Sequence, residues 1–240
     1  MSVYLTTLHD TAHMFSNFYG NGFNGLQIFQ IVSDGKVILE DVTAKNNGNP
    51  IGTFTTPSGG EANIGIGVGI RIKGTGVTVR NAEVSGNFGG SAVLIGFTPD
   101  LPVVGVNLEG EIFIHNNQGS GLAIDPGVPS SLANGTVSIS ADLNIYLNGG
   151  NGFNGAPFQG VDIILEKGGS LASCNNARAV TSLPFVDILN FGTGSFLSSG
   201  KGKYTCDTKE GEGEDPLFDS ETGEVFIGEV PDCKACPACL

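Results

Sequence analysis

The sequence predicts an all-β chain wound as a single-domain parallel β-solenoid of about six to seven coils, and three observations point there. Turns built on Asn and Gly recur at a near-constant interval: 40 residues from Asn47 to Asn87, 30 from Asn87 to Asn117 and 31 from Asn117 to Asn148. The strands before these turns match one another, with apolar residues alternating so that one face points inward. Gly supplies 38 of 240 residues, Trp is absent and only 15% of residues are charged, which suits tight turns and closely stacked backbones rather than helical bundles.

The turns read FSNFYGNGFNGLQI from Phe15, SGNFGGSAVLI from Ser85, HNNQGSGLAI from His115 and LNGGNGFNGAPFQGVDI from Leu147, with shorter versions at Lys45 (KNNGN) and Ser173 (SCNN). The preceding strands are VILEDVTA from Val37, VTVRNAEV from Val77, VNLEGEIFI from Val106 and VSISADLNI from Val137. The spacing leaves no room for helical crossovers. Each strand is therefore expected to pair in parallel with its equivalents in the adjacent coils, at roughly 4.8 Å. Asn tolerates the left-handed conformation of a sharp corner, and stacked Asn side chains can bond from coil to coil. Asn49 to Asn63, rich in turn residues, is expected as a loop bulging from one corner, and Asn148 to Phe158 as a second insertion. The solenoid is placed at residues 1–200, with Val3 to Leu5 as part of a coil. An irregular acidic, Cys-bearing tail fills 201–240.

Net charge is −13, with ten acids against two lysines after residue 206. Repulsion argues against nucleic acid or an anionic membrane surface as partner. No stretch of 18 apolar residues offers membrane insertion.

On this rung architecture the chain resembles the pectin-lyase-like family of right-handed parallel β-helices, over about residues 3–200. Its close, YTC from Tyr204 and CKACPAC from Cys233, is similar to that of β-helix proteins at algal cell surfaces. The resemblance implies the right-handed β-helix, and its range of functions runs from polysaccharide lyases, hydrolases and epimerases to non-catalytic adhesins. It does not carry an activity across. The chain has no Arg-x-Pro-x-x-Arg, no clustered Asp pair with Gly-His-Gly and no Asp-Pro-His-Glu.

Aligning strands on the inward residues Val42, Ala82, Ile112 and Leu143 puts Asp41, Asn81, Glu111 and Asp142 in one outward column. Such a column reads first as a solvated polar face. No cofactor is expected other than Ca²⁺, for which its carboxylates make Asp41, Glu111 and Asp142 candidate ligands; Glu111, Asp142 and Asp162 are candidate acid/base residues of a glycosidase-like site. A second outward stripe of Glu40, Arg80 and Glu109 alternates in sign and fits ion pairing between coils. His9, His13 and His115 do not form a metal-ligand pattern.

Cys174, Cys206, Cys233, Cys236 and Cys239 read as disulfide candidates at the end of a secreted chain, and C-x₂-C-x₂-C lacks a nearby fourth soft ligand for zinc or iron–sulfur. Asn134-Gly135-Thr136 is a glycosylation sequon pointing the same way. The start of the chain shows no secretory signal, so a secreted or cell-surface location implies that the true beginning lies upstream. The expectation is a non-catalytic extracellular or surface module that binds a polysaccharide or a cell-surface protein, with a carbohydrate-active enzyme as the alternative.

Overall fold

The computed structural model describes residues 11–30, 35–55, 61–96, 103–125, 134–150, 152–155, 161–174, 176, 188–190, 203–206, 217–218 and 225–226. Among these the chain is all-β, without helix, and its strands lie chiefly in two parallel sheets. The larger sheet holds β1 (Thr11–Met14), β2 (Asn17–Tyr19), β4 (Lys36–Lys45), β8 (Val77–Ser85), β10 (Val103–His115), β12 (Asn134–Ile139), β13 (Asp142–Tyr146), β15 (Val161–Leu165), β16 (Ser170–Cys174) and β18 (Lys203–Cys206). The smaller sheet runs in the order β17 (Ile188–Asn190), β14 (Phe153–Gly155), β11 (Ser120–Asp125), β9 (Ser91–Gly96), β7 (Ile70–Gly74) and β3 (Leu26–Gln30).

The chain alternates between the two sheets, and every strand meets its equivalent from the next repeat. Leu26 pairs with Ile70, Ile70 with Val93, Val93 with Leu122 and Leu122 with Phe153. On the larger sheet Val42, Ala82, Ile112 and Leu143 share one row. Inward residues of both sheets, among them Leu39, Val79, Leu108 and Ile139 from the larger and Ile28, Ile72, Ile95 and Ile124 from the smaller, belong to one buried cluster.

The larger sheet is bent partway along each strand. In β4 the buried positions are Val37, Leu39, Val42 and Ala44, so the alternation slips by one residue after Leu39. Asp41 and Asn81 stand at the slip with φ of 52°, a left-handed conformation that Asp and Asn tolerate better than most. β10 makes the same bend with one more residue. Gly110 (φ 68°) is added there, and the register against β8 shifts between Glu109 and Ile112.

At the turn after this sheet, Asn21, Asn47, Asn87, Asn117, Asn148 and Asn176 form a continuous ladder. Each Oδ1 from Asn47 onward accepts both the backbone N–H and the side-chain Nδ2 of the Asn one repeat before, at 2.8–3.1 Å. The second Nδ2 proton goes to a backbone carbonyl of the preceding repeat: Phe18 for Asn47, Ala44 for Asn87, Val84 for Asn117, Ile114 for Asn148 and Ile145 for Asn176. From Asn47 to Asn176 the ladder is buried, and its amides are paired as buried polar groups must be. The stacking expected of the turn Asn residues is present, but the left-handed conformation falls on the residue before each: Asn46, Gly86, Asn116 and Leu147. Gly89 is fixed by proximity, since a Cβ there would collide with the Gly67 carbonyl oxygen of the repeat below.

Asn49 to Asn63 differs from the expected loop. β5 (Asn49–Thr55) and β6 (Glu61–Ile66) pair antiparallel, so this insertion is a hairpin between the turn and β7. Its β-branched Ile51, Thr53 and Thr55 alternate at the strand period, a signal outweighed in the sequence by Pro and Gly. The larger sheet takes in Lys203–Cys206, past residue 200, through parallel pairing of β18 with β16. A short antiparallel pair, β19 (Leu217–Phe218) with β20 (Val225–Phe226), lies within the acidic segment. Val3 to Leu5 falls outside the described residues.

Removing the Asn117 side chain takes the acceptor from the Asn87 backbone N–H and Nδ2 and the Nδ2 donor from the Val84 carbonyl, while Asn148 Oδ1 keeps the backbone N–H of residue 117. Asn117→Ala is expected to cost about 2–4 kcal/mol in urea unfolding, since each orphaned buried group costs about 1–3 kcal/mol. Leu147 holds φ of 59° where the equivalent positions carry Asn or Gly. Leu147→Asn is expected to raise the unfolding midpoint, by about 0.5–1 kcal/mol of relieved strain.

Candidate functional site

Downstream of its bend the larger sheet presents a regular outward lattice. Parallel pairing sets rows about 4.8 Å apart, and alternation brings every second residue of a strand outward. One column holds Asp41, Asn81, Glu111, Asp142 and Ser170. The next holds Thr43, Glu83, Phe113 and Asn144, and a third Lys45, Ser85, His115 and Tyr146. The register thus makes Glu111 and Asp142 direct neighbours on adjacent strands.

The first column is tied together by its own side chains. Asn81 Nδ2 donates to Asp41 Oδ1 at 3.2 Å, the Glu111 backbone N–H donates to Asn81 Oδ1 at 3.1 Å, and Ser170 Oγ donates to Asp142 Oδ1 at 2.8 Å. Asp41, Asn81, Glu111 and Asp142 are exposed. Together with Thr43 and Glu83 they line an open groove of about 650 Å³, with Phe113 and Ser140 also in its wall. Among the described residues no lysine or arginine lines it, though Lys45 pairs with Glu83 beside it.

Beside the groove, Glu83 is held by two donors, Lys45 Nζ at 2.6 Å and His115 Nε2 at 3.2 Å. Partial burial pushes the Glu83 carboxyl up, but these hydrogen bonds and charges outweigh it and hold the group below the usual carboxylate range. The His115 ring stacks on Tyr146, centroids 4.9 Å apart and planes within 2°, and its Nδ1 accepts from Asn116 Nδ2 at 2.9 Å. Burial raises the Tyr146 phenol, and the Glu83 charge adds to this. With both ring nitrogens engaged, His115 has none left to deprotonate Ser85, its register neighbour.

Across the bend, Arg80 bridges two repeats. Its Nε and Nη2 donate to Glu109 Oε2 at 3.0 and 2.7 Å, and Nη1 to Glu40 Oε1 at 3.2 Å, the cross-repeat pairing its alternating charges imply.

The other sequence candidates scatter. Asp162 pairs through its backbone with Thr136, in the part of the sheet that precedes the bend. His13 stacks with Phe15 at 6.4 Å, three strands from His115 in the larger sheet, and His9 lies outside the described residues. Asp41, Glu111 and Asp142 share the groove with Asn81 between the first two. Among the described residues no three His, Cys, Asp or Glu converge in a way that could hold a metal ion.

Cys174 pairs with Tyr146 and Cys206 with Ser173, which puts these cysteines at the ends of the adjacent strands β16 and β18. Cys233, Cys236 and Cys239 lie outside the described residues. Asn134 opens β12 opposite Val103. The Lys45–Glu83–His115–Tyr146 cluster was missed in the sequence. Its signal was present, because the same alignment puts Lys45, His115 and Tyr146, each three after its inward residue, in one column and Glu83, one after Ala82, in the column beside it.

No protein-family model, curated protein or solved structure matches this chain, so the groove must be read from its own chemistry.

Glu83 has a folded pKa below its unfolded one, so its contribution to stability is present above about pH 4.3 and is lost as pH falls through the depressed folded value. Half-exposed pairs of this kind contribute at most about 1 kcal/mol. Urea midpoints of Glu83→Gln are expected to fall slightly below wild type at neutral pH and to merge with it in acid.

Proposed function

We propose that this chain is a non-catalytic, secreted or cell-surface carbohydrate-binding module built as a right-handed parallel β-helix of the pectin-lyase-like kind. The β-helix is supported by parallel pairing of each strand with its equivalent one repeat away, and by the single core both sheets share. The preferred chirality of parallel crossovers supports the right-handed sense. Cysteines and the Asn134 sequon support the extracellular setting.

The observation that carries the binding reading is the open groove lined with carboxylates, an amide and hydroxyls from Asp41, Asn81, Glu111, Asp142, Thr43 and Ser140. Sugar hydroxyls donate to ionised carboxylates in strong, charge-assisted bonds. A polyanion such as polygalacturonan is instead repelled. Catalysis is disfavoured by exposure of Glu111 and Asp142, because a catalytic acid is usually held in dry, apolar surroundings that keep it protonated. The β5–β6 hairpin, inserted where other repeats make short turns, offers a second contact surface for a surface protein.

A glycan array with the purified chain, followed by product analysis, tests this. Neutral polysaccharide is expected to be retained intact, and Glu111→Gln with Asp142→Asn is expected to weaken retention about tenfold, or about 1.4 kcal/mol. Shortened products from an acidic polysaccharide would overturn binding in favour of catalysis.

A further inference from the structure

Two of the three large apolar side chains exposed among the described residues stand on the first repeat of the face that carries the groove. Phe15 is 61% exposed and Tyr19 55%. Tyr19 is the register partner of Lys45, which heads the column of Ser85, His115 and Tyr146. Asn17, between the two aromatics, pairs with Thr43, and Thr43 lines the groove. Phe15 sits at the bend, between the pairings Met14 to Leu39 and Asn17 to Thr43, with its ring stacked on His13. The aromatic pair is therefore continuous with the groove, and along the strand its members are roughly 13 Å apart.

Resting on the glycan reading above, we infer that Phe15 and Tyr19 form the apolar end of an extended site for a neutral pyranose polymer lying along the stack of repeats. The C–H face of a pyranose packs on aromatic rings while its hydroxyls seek acceptors, and this face supplies both in sequence. Phe15 and Tyr19 come first, then Asp41, Asn81, Glu111 and Asp142. The stretch from the first repeat to that of Asp142 covers four strand spacings, about 19 Å, so the site takes an oligomer rather than a single sugar. The carboxylates of Asp41, Glu111 and Asp142 disfavour a polyuronate on the same track by repulsion, and Lys45 beside it is already paired with Glu83. Phe23, 51% exposed, lies in the turn beyond Asn21, off this face, and serves as the internal control.

Isothermal titration of the full chain with neutral gluco-, manno-, xylo- and galacto-hexasaccharides, the matching monosaccharides and hexagalacturonate tests the inference. At least one neutral hexasaccharide is expected to bind, its monosaccharide at least tenfold more weakly. Phe15→Ala with Tyr19→Ala is expected to lose at least tenfold in affinity at unchanged melting temperature, and Phe23→Ala to bind as wild type. Equal binding by wild type and the double variant removes the aromatic end while leaving the groove intact. Failure of wild type to bind any neutral hexasaccharide, or preference for hexagalacturonate, overturns the glycan reading and this extension of it together.

Discussion

The register between successive repeats is the constraint everything else depends on. A parallel strand pair gains its hydrogen bonds only if residues about thirty apart in sequence lie side by side, and a slip of one residue would turn every apolar row outward. Backbone bonding alone does not choose among registers, because any shift by two restores the same ladder. The buried Asn column does choose. Each Oδ1 from Asn47 onward accepts from one fixed partner, and each of these Nδ2 groups reaches one fixed carbonyl of the repeat before it. A slipped repeat would strand several buried amide groups at once, a larger cost than any single apolar mismatch.

That lock turns a one-dimensional pattern into a surface. Because the rows are held in place, side chains thirty residues apart become neighbours, and chemically unrelated strands acquire a shared outer face. The Asp41–Asn81–Glu111–Asp142 column, the Arg80 bridge between Glu40 and Glu109, and Glu83 between Lys45 and His115 are all products of this vertical adjacency. None involves residues close in the chain. The same lock fixes the spacing of that face along the stack.

Much of the fold was legible because its signals are local and repeated. Alternating Val, Ile and Leu marked the strands, Asn-Gly marked the turns, and their interval aligned Val42, Ala82, Ile112 and Leu143 in one row. The hairpin at Asn49–Ile66 was hidden because a turn-rich composition dominates its alternation. The left-handed residue at Leu147 was hidden because nothing in a leucine announces a positive φ. Glu111 and Asp142 were paired correctly from the alignment. Asp162 pairs along its backbone with Thr136 in the β12–β15 stretch, a placement that a repeat of apolar residues does not reveal.

The sequence by itself determined that the chain would form parallel strands in register, since only that arrangement buries its repeated apolar rows without helices to cross between them. It determined too that the net-negative chain would repel polyanions. Only the tertiary structure decided which outward residues share a groove, that His115 has both ring nitrogens occupied, and that Phe15 and Tyr19 stand on the same face as Thr43. The physical reason is the bend. A left-handed residue, Asp41 in β4 and Asn81 in β8, shifts the alternation by one there, and the direction of the side chains after it depends on a backbone conformation that the apolar pattern does not encode.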